Sequence, residues 1–444
     1  PSDPVESPSE TVELSSEAGD KNITAPGPIS LETLKPVPLM APETQQEETV
    51  TPRADSQTPL PVRRPAIESD DAAKREAVEA APPARQPAVE SKDDAPAVEP
   101  LQPVAPVLSA SVARLQRPIE QCLNYYYQRP EDAAGRSSWG MMHAIMVYGV
   151  DTQVISGRKR YNAIAWLAGN NICRGKRLLT VDRAGISPRQ GVGLQGHQGQ
   201  LLAIFGLVGV PTDYPLYVDR RKFTINDLIA HEQRECRRGE ELTFTLIALA
   251  HYIDTESEWR SKDGERWDFE RLLQEELAQP VIGAACGGTH RLMGLSHALR
   301  IRKEEGHPIT GQWARADTFL QDFTDYAWKL QNRDGSMSTN WFEGRGDNGD
   351  VDRKIQTTGH VVEWMLSHLP DDQLQDERLV RAVRFLTAAM SNNPAREKEI
   401  GPKGHALRSL AVYHQRVFDA PDPWRSEATS SRSQTTRRGR SANR

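Results

Sequence analysis

Pairs of helical segments recur along residues 111–418, and this repetition restricts the fold more than any other feature of the sequence. In each pair, a segment that is apolar on one face precedes a segment that is apolar around most of its surface, such as 200–209. The one-faced segments include 159–170, 317–331 and 377–392, each predicted as one outer helix. A helix with one apolar face lies on the outside of a fold, and a uniformly apolar helix is buried. Repeats of roughly 45–60 residues indicate a solenoid or a closed ring.

Six such pairs are present, and hardly any segment shows the period-two alternation of a strand. An open superhelix of tetratricopeptide type would need a nearly constant period of about 34 residues, whereas these units vary in length. We therefore expect an all-α fold, an (α/α)6 toroid with six inner helices inside six outer ones. The pairs lie at 111–150, 157–210, 224–254, 266–303, 313–369 and 375–418.

The two ends of the chain differ in composition from the middle. Residues 1–107 contain no Phe, Tyr or Trp, hold 19 of the 31 prolines, and carry 20 acidic against 9 basic residues. Residues 425–444 carry six Arg against one Glu. Neither end has enough apolar surface to offset the entropy lost on ordering, so both are predicted to be disordered. The remaining segment, 108–424, is long enough for one large core and is predicted to be the toroid domain.

Charge and hydropathy restrict the partners and the location. Residues 108–424 have no net charge, which argues against a nucleic-acid groove because such a groove needs a basic face. No run approaches the roughly 20 apolar residues of a transmembrane helix. The chain begins at Pro1, and its Pro/Ala/Glu-rich start predicts a linker behind a signal peptide or membrane anchor, and hence an exported or cell-envelope protein. A disordered cytoplasmic arm would have the same composition. Four widely spaced cysteines leave the disulfide state open.

Histidines occupy equivalent places at the start of several apolar helices. If all inner helices run in the same direction, these places meet at one mouth of the ring, and the histidines are predicted to converge there. Those predicted to bind ligand are His197, His290, His360 and His405. The alternative is that each histidine only caps its own helix. The positions concerned are His143, His197, His290, His360 and His405.

The loop predicted at 332–359 is much longer than the two to eight residues typical of helix connections, which favours a functional role. It interleaves the aromatic Trp341 with charges of both signs. Acids for proton transfer, a stacking surface and a cation together suit a polar ligand. We expect Trp341 and Arg353 to bind ligand, and Glu343, Asp350 and Asp352 to be candidate catalytic acids.

The segment FTDYAWKLQNRDGSM (323–337) resembles the repeat of squalene and terpenoid cyclases and of protein prenyltransferases. Gln331 and Gly335 match the repeat, and Met337 stands where the family prefers Trp. The resemblance implies the toroid fold. In the cyclases, an Asp-x-Asp-Asp motif protonates an alkene, and 350–353 is similar through its two aspartates, with Arg353 in place of the last one. The resemblance thus implies an isoprenoid ligand.

Protein prenyltransferases hold zinc with Asp, Cys and His at the mouth of the ring, which extends the resemblance to a possible metal. Cys286 and His290 are four residues apart, and one helical face presents such a pair to one ion. His360 begins the neighbouring inner helix. The expected zinc ligands are therefore Cys286, His290 and His360.

Two other functions stay open at this point. Carbohydrate-active enzymes with the same barrel use a pair of acids in an aromatic groove. Glu343 with Asp350 or Asp352 would be that pair, and Tyr126, Trp139 and Trp341 would be the sugar platforms. The other possibility is a non-catalytic scaffold of the cell envelope. The sequence therefore predicts a ligand, isoprenoid or glycan, in the mouth of the ring and leaves catalysis undecided.

Overall fold

A computed structural model describes residues 107–425, and the segments predicted to be disordered, 1–107 and 425–444, lie outside the described residues except at one boundary position each. Helices make up most of the regular structure in this range. They are α1 (Ala110–Ala113), α2 (Gln116–Tyr127), α3 (Ser138–Tyr148), α4 (Ala163–Ala168), α5 (Gln200–Leu207), α6 (Ile225–Glu235), α7 (Thr243–Tyr252), α8 (Phe269–Leu277), α9 (Thr289–Glu304), α10 (Gly311–Leu330), α11 (Val351–His368), α12 (Glu377–Ser391) and α13 (Ile400–Phe418).

The predicted all-α toroid class is wrong, because the described residues also form four small β-sheets. In the first, β2 pairs with β1 in parallel and with β3 antiparallel. The other three are antiparallel two-stranded hairpins. The fold is therefore mixed α/β. The strands are β1 (Glu131–Asp132), β2 (Gln153–Ser156), β3 (Lys159–Asn162), β4 (Leu179–Val181), β5 (Ile186–Pro188), β6 (Pro215–Val218), β7 (Arg221–Thr224), β8 (Glu258–Arg260) and β9 (Arg266–Asp268).

Three antiparallel strand pairs, one of them within the three-stranded sheet, occupy equivalent places between one inner helix and the next outer helix. They are β2–β3 before α4, β6–β7 before α6 and β8–β9 before α8. In each case the last strand residue caps the helix that follows. The side chains of Asn162 and Asp268 accept hydrogen bonds from backbone amides in the first turn, and Thr224 forms a capping box with Asp227. The cap explains why the chain changes from strand to helix at that residue.

Six helices form a closed ring of contacts at the centre. α3 contacts α5, and the contacts continue through α7, α9 and α11 to α13, which returns to α3. Closure brings together two helices that lie more than 250 residues apart in sequence. Every residue of α5 is buried, as are the first eight residues of α7, so these helices are apolar all round because they are enclosed all round.

The other long helices lie outside this ring and bury one face each. On α12 the buried residues follow helical spacing (Leu379, Val383, Leu386, Met390), while the polar residues between them face solvent. Full burial of such a side chain contributes about 1.5–3 kcal/mol, so this face holds α12 against α11 and α13. None of the helices between residues 107 and 425 combines the length and the hydropathy that crossing a membrane requires.

Candidate metal centre

Five histidines from five helical units lie in one continuous row at the centre of the ring. Adjacent ring centroids are 5.2 Å apart for His197 and His290, 6.2 Å for His290 and His360, 3.8 Å for His360 and His405, and 5.4 Å for His405 and His143. Each of the five is at most 7% exposed. We call this set the histidine row. Phe244 of α7 packs against two of its members, His197 and His290.

Glycines before two of these histidines explain how the rings can meet. A Cβ on Gly359 would lie 2.8 Å from the backbone nitrogen of Ala406, and a Cβ on Gly404 would lie 2.9 Å from Cβ of His143. Real Cβ contacts are longer, so only glycine permits these approaches. The Gly-His pairs therefore bring α11, α13 and α3 close enough for the imidazoles to pack against each other.

The histidines lie deeper than the sequence predicted. Helices α3, α11 and α13 begin before the histidine, at Ser138, Val351 and Ile400, so that His143, His360 and His405 fall inside the helix. The loop predicted at 332–359 is correspondingly shorter, since α11 already begins at Val351. The row is thus a buried centre of the ring, whereas the sequence placed it around an open rim.

Backbone carbonyls determine the tautomer of two members of the row. His143 Nδ1 lies 2.8 Å from the carbonyl oxygen of Trp139, and His360 Nδ1 lies 2.7 Å from that of Gln356, one turn back in each helix. A carbonyl only accepts, so Nδ1 carries the proton and donates. In the neutral ring, Nε2 then holds the lone pair. This arrangement is characteristic of metal-binding histidines, whose second nitrogen is held by a carbonyl or a carboxylate.

Carboxylates hold two further members in the same way. His197 Nδ1 lies 2.6 Å from Oε2 of Glu241, and His405 Nδ1 lies 2.7 Å from Oε2 of Glu363. Glu363 and His405 are both fully buried. Arg408 interacts electrostatically with Glu363, and burial lowers the pKa of Arg408 to about 10. The buried carboxylate therefore faces an imidazole and a guanidinium, which compensate its charge.

Cys286 lies beside the row in a strained turn before α9. Its φ of 48° is left-handed, and Gly287 and Gly288 follow with φ values of 62° and 72°. A left-handed conformation costs about 1–2 kcal/mol for a residue with a Cβ. Strain of this kind concentrates at functional sites. Cys286, His290 and His360 each place one ligand atom within 4.8 Å of the other two, and all three are buried.

Trp341 and Arg353 close this side of the centre. The indole packs edge-on against His360 with ring centroids 5.2 Å apart, and a Cβ on Gly287 would lie 2.4 Å from the same indole. The guanidinium carbon of Arg353 lies 5.1 Å from the Trp341 ring centroid. Burial lowers the pKa of Arg353, and interaction with Cys286 among others opposes this shift, so a cation lies near the thiol.

The predicted catalytic acids lie apart from this centre, on an exposed surface. Asp350 caps α11 by accepting from the backbone amides of Asp352 and Arg353. Asp352 pairs with Arg396 through two contacts of 2.5 and 2.7 Å, and this hydrogen bonding lowers the pKa of Asp352. Glu343 is exposed. The structure therefore brings together Trp341, Arg353, Cys286 and all the predicted ligand-binding histidines, but not these three acids.

The aromatic residues predicted as sugar platforms differ in their surroundings. Trp139 is 6% exposed and packs on the His143 ring with centroids 4.0 Å apart. Tyr126 is half-buried, and its hydroxyl donates to the carbonyl of Met390. Trp139 and Trp341 face imidazoles of the row and not an open groove.

The other three cysteines contrast with Cys286. Desolvation raises the pKa of Cys122 and of Cys173 to about 11 and that of Cys236 to about 12. Such thiols stay protonated near neutral pH and behave as apolar core residues. Among the four cysteines, Cys286 is therefore the one whose position beside the histidine row indicates a metal-binding or reactive thiol.

The sequence analysis missed the carboxylates that orient the row. Glu363 follows His360 by three residues, so the two share one helical face, and this spacing was a signal that could have been used. Glu241 lies 44 residues from His197 and gave no local signal. Comparisons with family models, with curated proteins and with solved structures found no match to this chain.

Proposed function

We propose that this protein binds a zinc ion at the centre of its helical ring, with Cys286, His290 and His360 as ligands. The observation that carries this proposal is the mutual distance of at most 4.8 Å between one ligand atom from each residue. Zinc lies about 2.3 Å from sulfur and about 2.0–2.1 Å from imidazole nitrogen. Donors of one tetrahedral ion are therefore about 3.3–3.6 Å apart, so side-chain rotations that shorten the donor distances by roughly an ångström would complete the site.

The types of donor favour zinc over harder ions. A thiolate with two imidazoles suits zinc, whereas magnesium and calcium prefer oxygen ligands. Gln356 supports the site, because its carbonyl holds the Nδ1 proton of His360 and leaves Nε2 as the donor. All three ligands are buried, and the low dielectric of the interior strengthens the attraction between the ion and the thiolate.

Three protein ligands leave one tetrahedral position for an exogenous group, which is the pattern of catalytic zinc. Bound zinc would supply Lewis acidity and an activated water at this position. Arg353 interacts electrostatically with Cys286, so a positive charge lies near the ligand set and favours an exogenous ligand with an anionic group. The isoprenoid and glycan classes remain predictions. The packed imidazoles favour a small ligand at the level of the row.

Metal analysis of the full-length chain tests this proposal. The chain is loaded with zinc, dialysed, and its metal content is measured by mass spectrometry. We expect bound zinc in the wild type and at least a tenfold weaker affinity in Cys286→Ser and His360→Gln. The matched control is Cys122→Ser, which replaces a buried thiol outside the centre. Absence of zinc in the wild type, or equal affinity in all four proteins, would refute the proposal.

A second function is favoured by the strained backbone of Cys286. A thiol before a helix N-terminus, with imidazoles and a guanidinium nearby, is also the arrangement of a nucleophilic cysteine. In that case the metal-free protein would be the active form. If the wild type holds no zinc but Cys286 reacts rapidly with iodoacetamide in a manner that requires His360, the thiol nucleophile replaces the zinc site as the proposal.

A further inference from the structure

A second group of possible ligands shares His290 with the zinc site. His197, Glu241 and His290 each place one ligand atom within 4.8 Å of the other two. His197 lies in the loop before α5, Glu241 lies in the loop before α7, and His290 lies in the first turn of α9. The group thus comes from three consecutive members of the ring.

We infer that this group binds a second divalent metal ion and that His290 bridges the two ions. The inference rests on the proposed function, because His290 is a ligand in both groups. Cys286 and His360 belong to the first group, and His197 and Glu241 belong to the second. One imidazole nitrogen cannot serve two ions, but the ring has two nitrogens that point in different directions. If the imidazole of His290 binds one ion through each nitrogen, this explains why His290 belongs to both groups.

His197 and Glu241 already contact each other where the ion would bind. His197 is 7% exposed, and its Nδ1 lies 2.6 Å from Oε2 of Glu241. The Nε2 atom points away from this carboxylate, so an ion shared by the two residues would bind His197 through Nδ1, in place of the proton. That proton would move to Nε2 of the same ring, and the imidazole would stay neutral.

Charge compensation is consistent with two ions. Cys286 as thiolate and Glu241 as carboxylate each supply one negative charge, one to each ion. Deprotonation of His290 to the bridging imidazolate supplies a third and releases one proton to solvent. A hydroxide, left when a water at the open zinc position releases a further proton to solvent, would balance the fourth positive charge of two divalent ions. A buried centre is stable only when its charges are compensated in this way.

Metal stoichiometry in the full-length chain tests the second ion. Chains loaded with zinc are dialysed, and the number of ions per chain is measured for the wild type and four variants. We expect two ions in the wild type, one in Cys286→Ser, one in His197→Ala, one in Glu241→Gln and none in His290→Ala. Circular dichroism of each variant verifies that it is folded, and the conservative Glu241→Gln keeps the test valid if an alanine variant does not fold.

A matched control is needed because a third group, Asp254, Glu305 and His307, lies on an exposed surface. His307→Ala should leave two ions bound. If His307→Ala removes one ion, the second ion is at the surface and the inference is wrong. If the wild type holds one ion that depends on Cys286 but not on His197, the inference fails while the proposed zinc site stands. If the wild type holds none, both fail.

Cobalt loading separates the two sites by spectroscopy. A thiolate ligand gives cobalt a charge-transfer absorption that imidazole and carboxylate ligands do not give. We expect this absorption to disappear in Cys286→Ser and to persist in His197→Ala, which loses the other ion. Loss of the absorption in both variants would show that the two groups form one site, which would overturn the inference.

Discussion

Gly359 of α11 lies directly against the backbone of Ala406 of α13, so close that a Cβ on the glycine would be 2.8 Å from the Ala406 nitrogen. This approach sets the 3.8 Å separation of the neighbouring imidazoles of His360 and His405. The two helices cannot separate without opening the histidine row. Helix packing and the candidate site therefore depend on the same residue.

Replacing Gly359 with Ala should destabilise the fold and weaken metal binding together. The added methyl group meets backbone, which cannot rotate away, and overpacking of this kind costs about 1–3 kcal/mol. Urea unfolding and zinc affinity of the folded variant measure the two effects. Gly196→Ala is the matched control, because Gly196 also precedes a histidine but its nearest Cβ contact would be an ordinary 3.6 Å. Equal effects in both variants would contradict this account.

The sequence revealed the long helices better than the short strands. The predicted outer segments 317–331 and 377–392 correspond to α10 and α12, since apolar periodicity over several turns is a strong signal. Residues 159–170 were predicted as one helix, but β3 occupies the first four of them and α4 begins only at Ala163. A four-residue strand is held by its partner strand, and that partner is not visible in local periodicity. The cap Asn162 was the available signal.

The site was predictable in part for a similar reason. Repetition placed the histidines at equivalent positions, so their convergence followed from any closed ring. The depth of His360 did not follow, because α11 begins nine residues before it, within a segment that resembled a loop. The pairing of His197 with Glu241 depends on two loops that meet only in the folded chain. Non-local contacts of this kind leave no periodic trace in one sequence.

Glu363→Gln should lower the free energy of unfolding by about 3 kcal/mol. The substitution keeps the shape of the side chain but removes the negative charge that faces His405 and the buried Arg408. Removing one partner of a buried pair leaves the other charge uncompensated.

Glu304→Gln is the control, since Glu304 is exposed and pairs with Arg300 along one helix face. Its effect should stay within about 0.5 kcal/mol. Chemical denaturation at pH 7 measures both, and equal stability of the two variants would contradict the prediction.

Glu232 of α6 should make the protein less stable as the pH rises. Burial raises the pKa of Glu232 to about 7 from an ordinary value of 4.5, although Thr245 and Gln198 donate hydrogen bonds to it. Between these two values the folded state holds a proton that the unfolded state has lost. Stability from this group is therefore complete below about pH 4.5 and decreases as the pH rises towards 7.

Glu232→Gln should remove that dependence and should be more stable than the wild type at pH 8, by up to about 3 kcal/mol. Urea midpoints at a series of pH values from 5 to 8 measure the difference between the two proteins. Glu235→Gln on the same helix is the control, because Glu235 forms a partly exposed ion pair with Lys262. Parallel pH profiles for the wild type and Glu232→Gln would show that Glu232 is ionised in the folded state.

Alkylation should distinguish Cys286 from the other three thiols and should depend on zinc. Burial raises the pKa of Cys122, Cys173 and Cys236 to about 11 or 12, so at pH 8 these thiols are protonated and react slowly. In the metal-free chain, iodoacetamide should modify Cys286 first, because the turn before α9 and the nearby Arg353 favour its thiolate. Zinc should slow the alkylation of Cys286 at least tenfold, because the ion binds the sulfur that would otherwise react.

Peptide mapping by mass spectrometry measures all four sites in one sample, so the slow thiols serve as internal controls. Equal labelling of Cys286 with and without zinc would exclude it as a metal ligand, and faster labelling of Cys236 would contradict the order of reactivity.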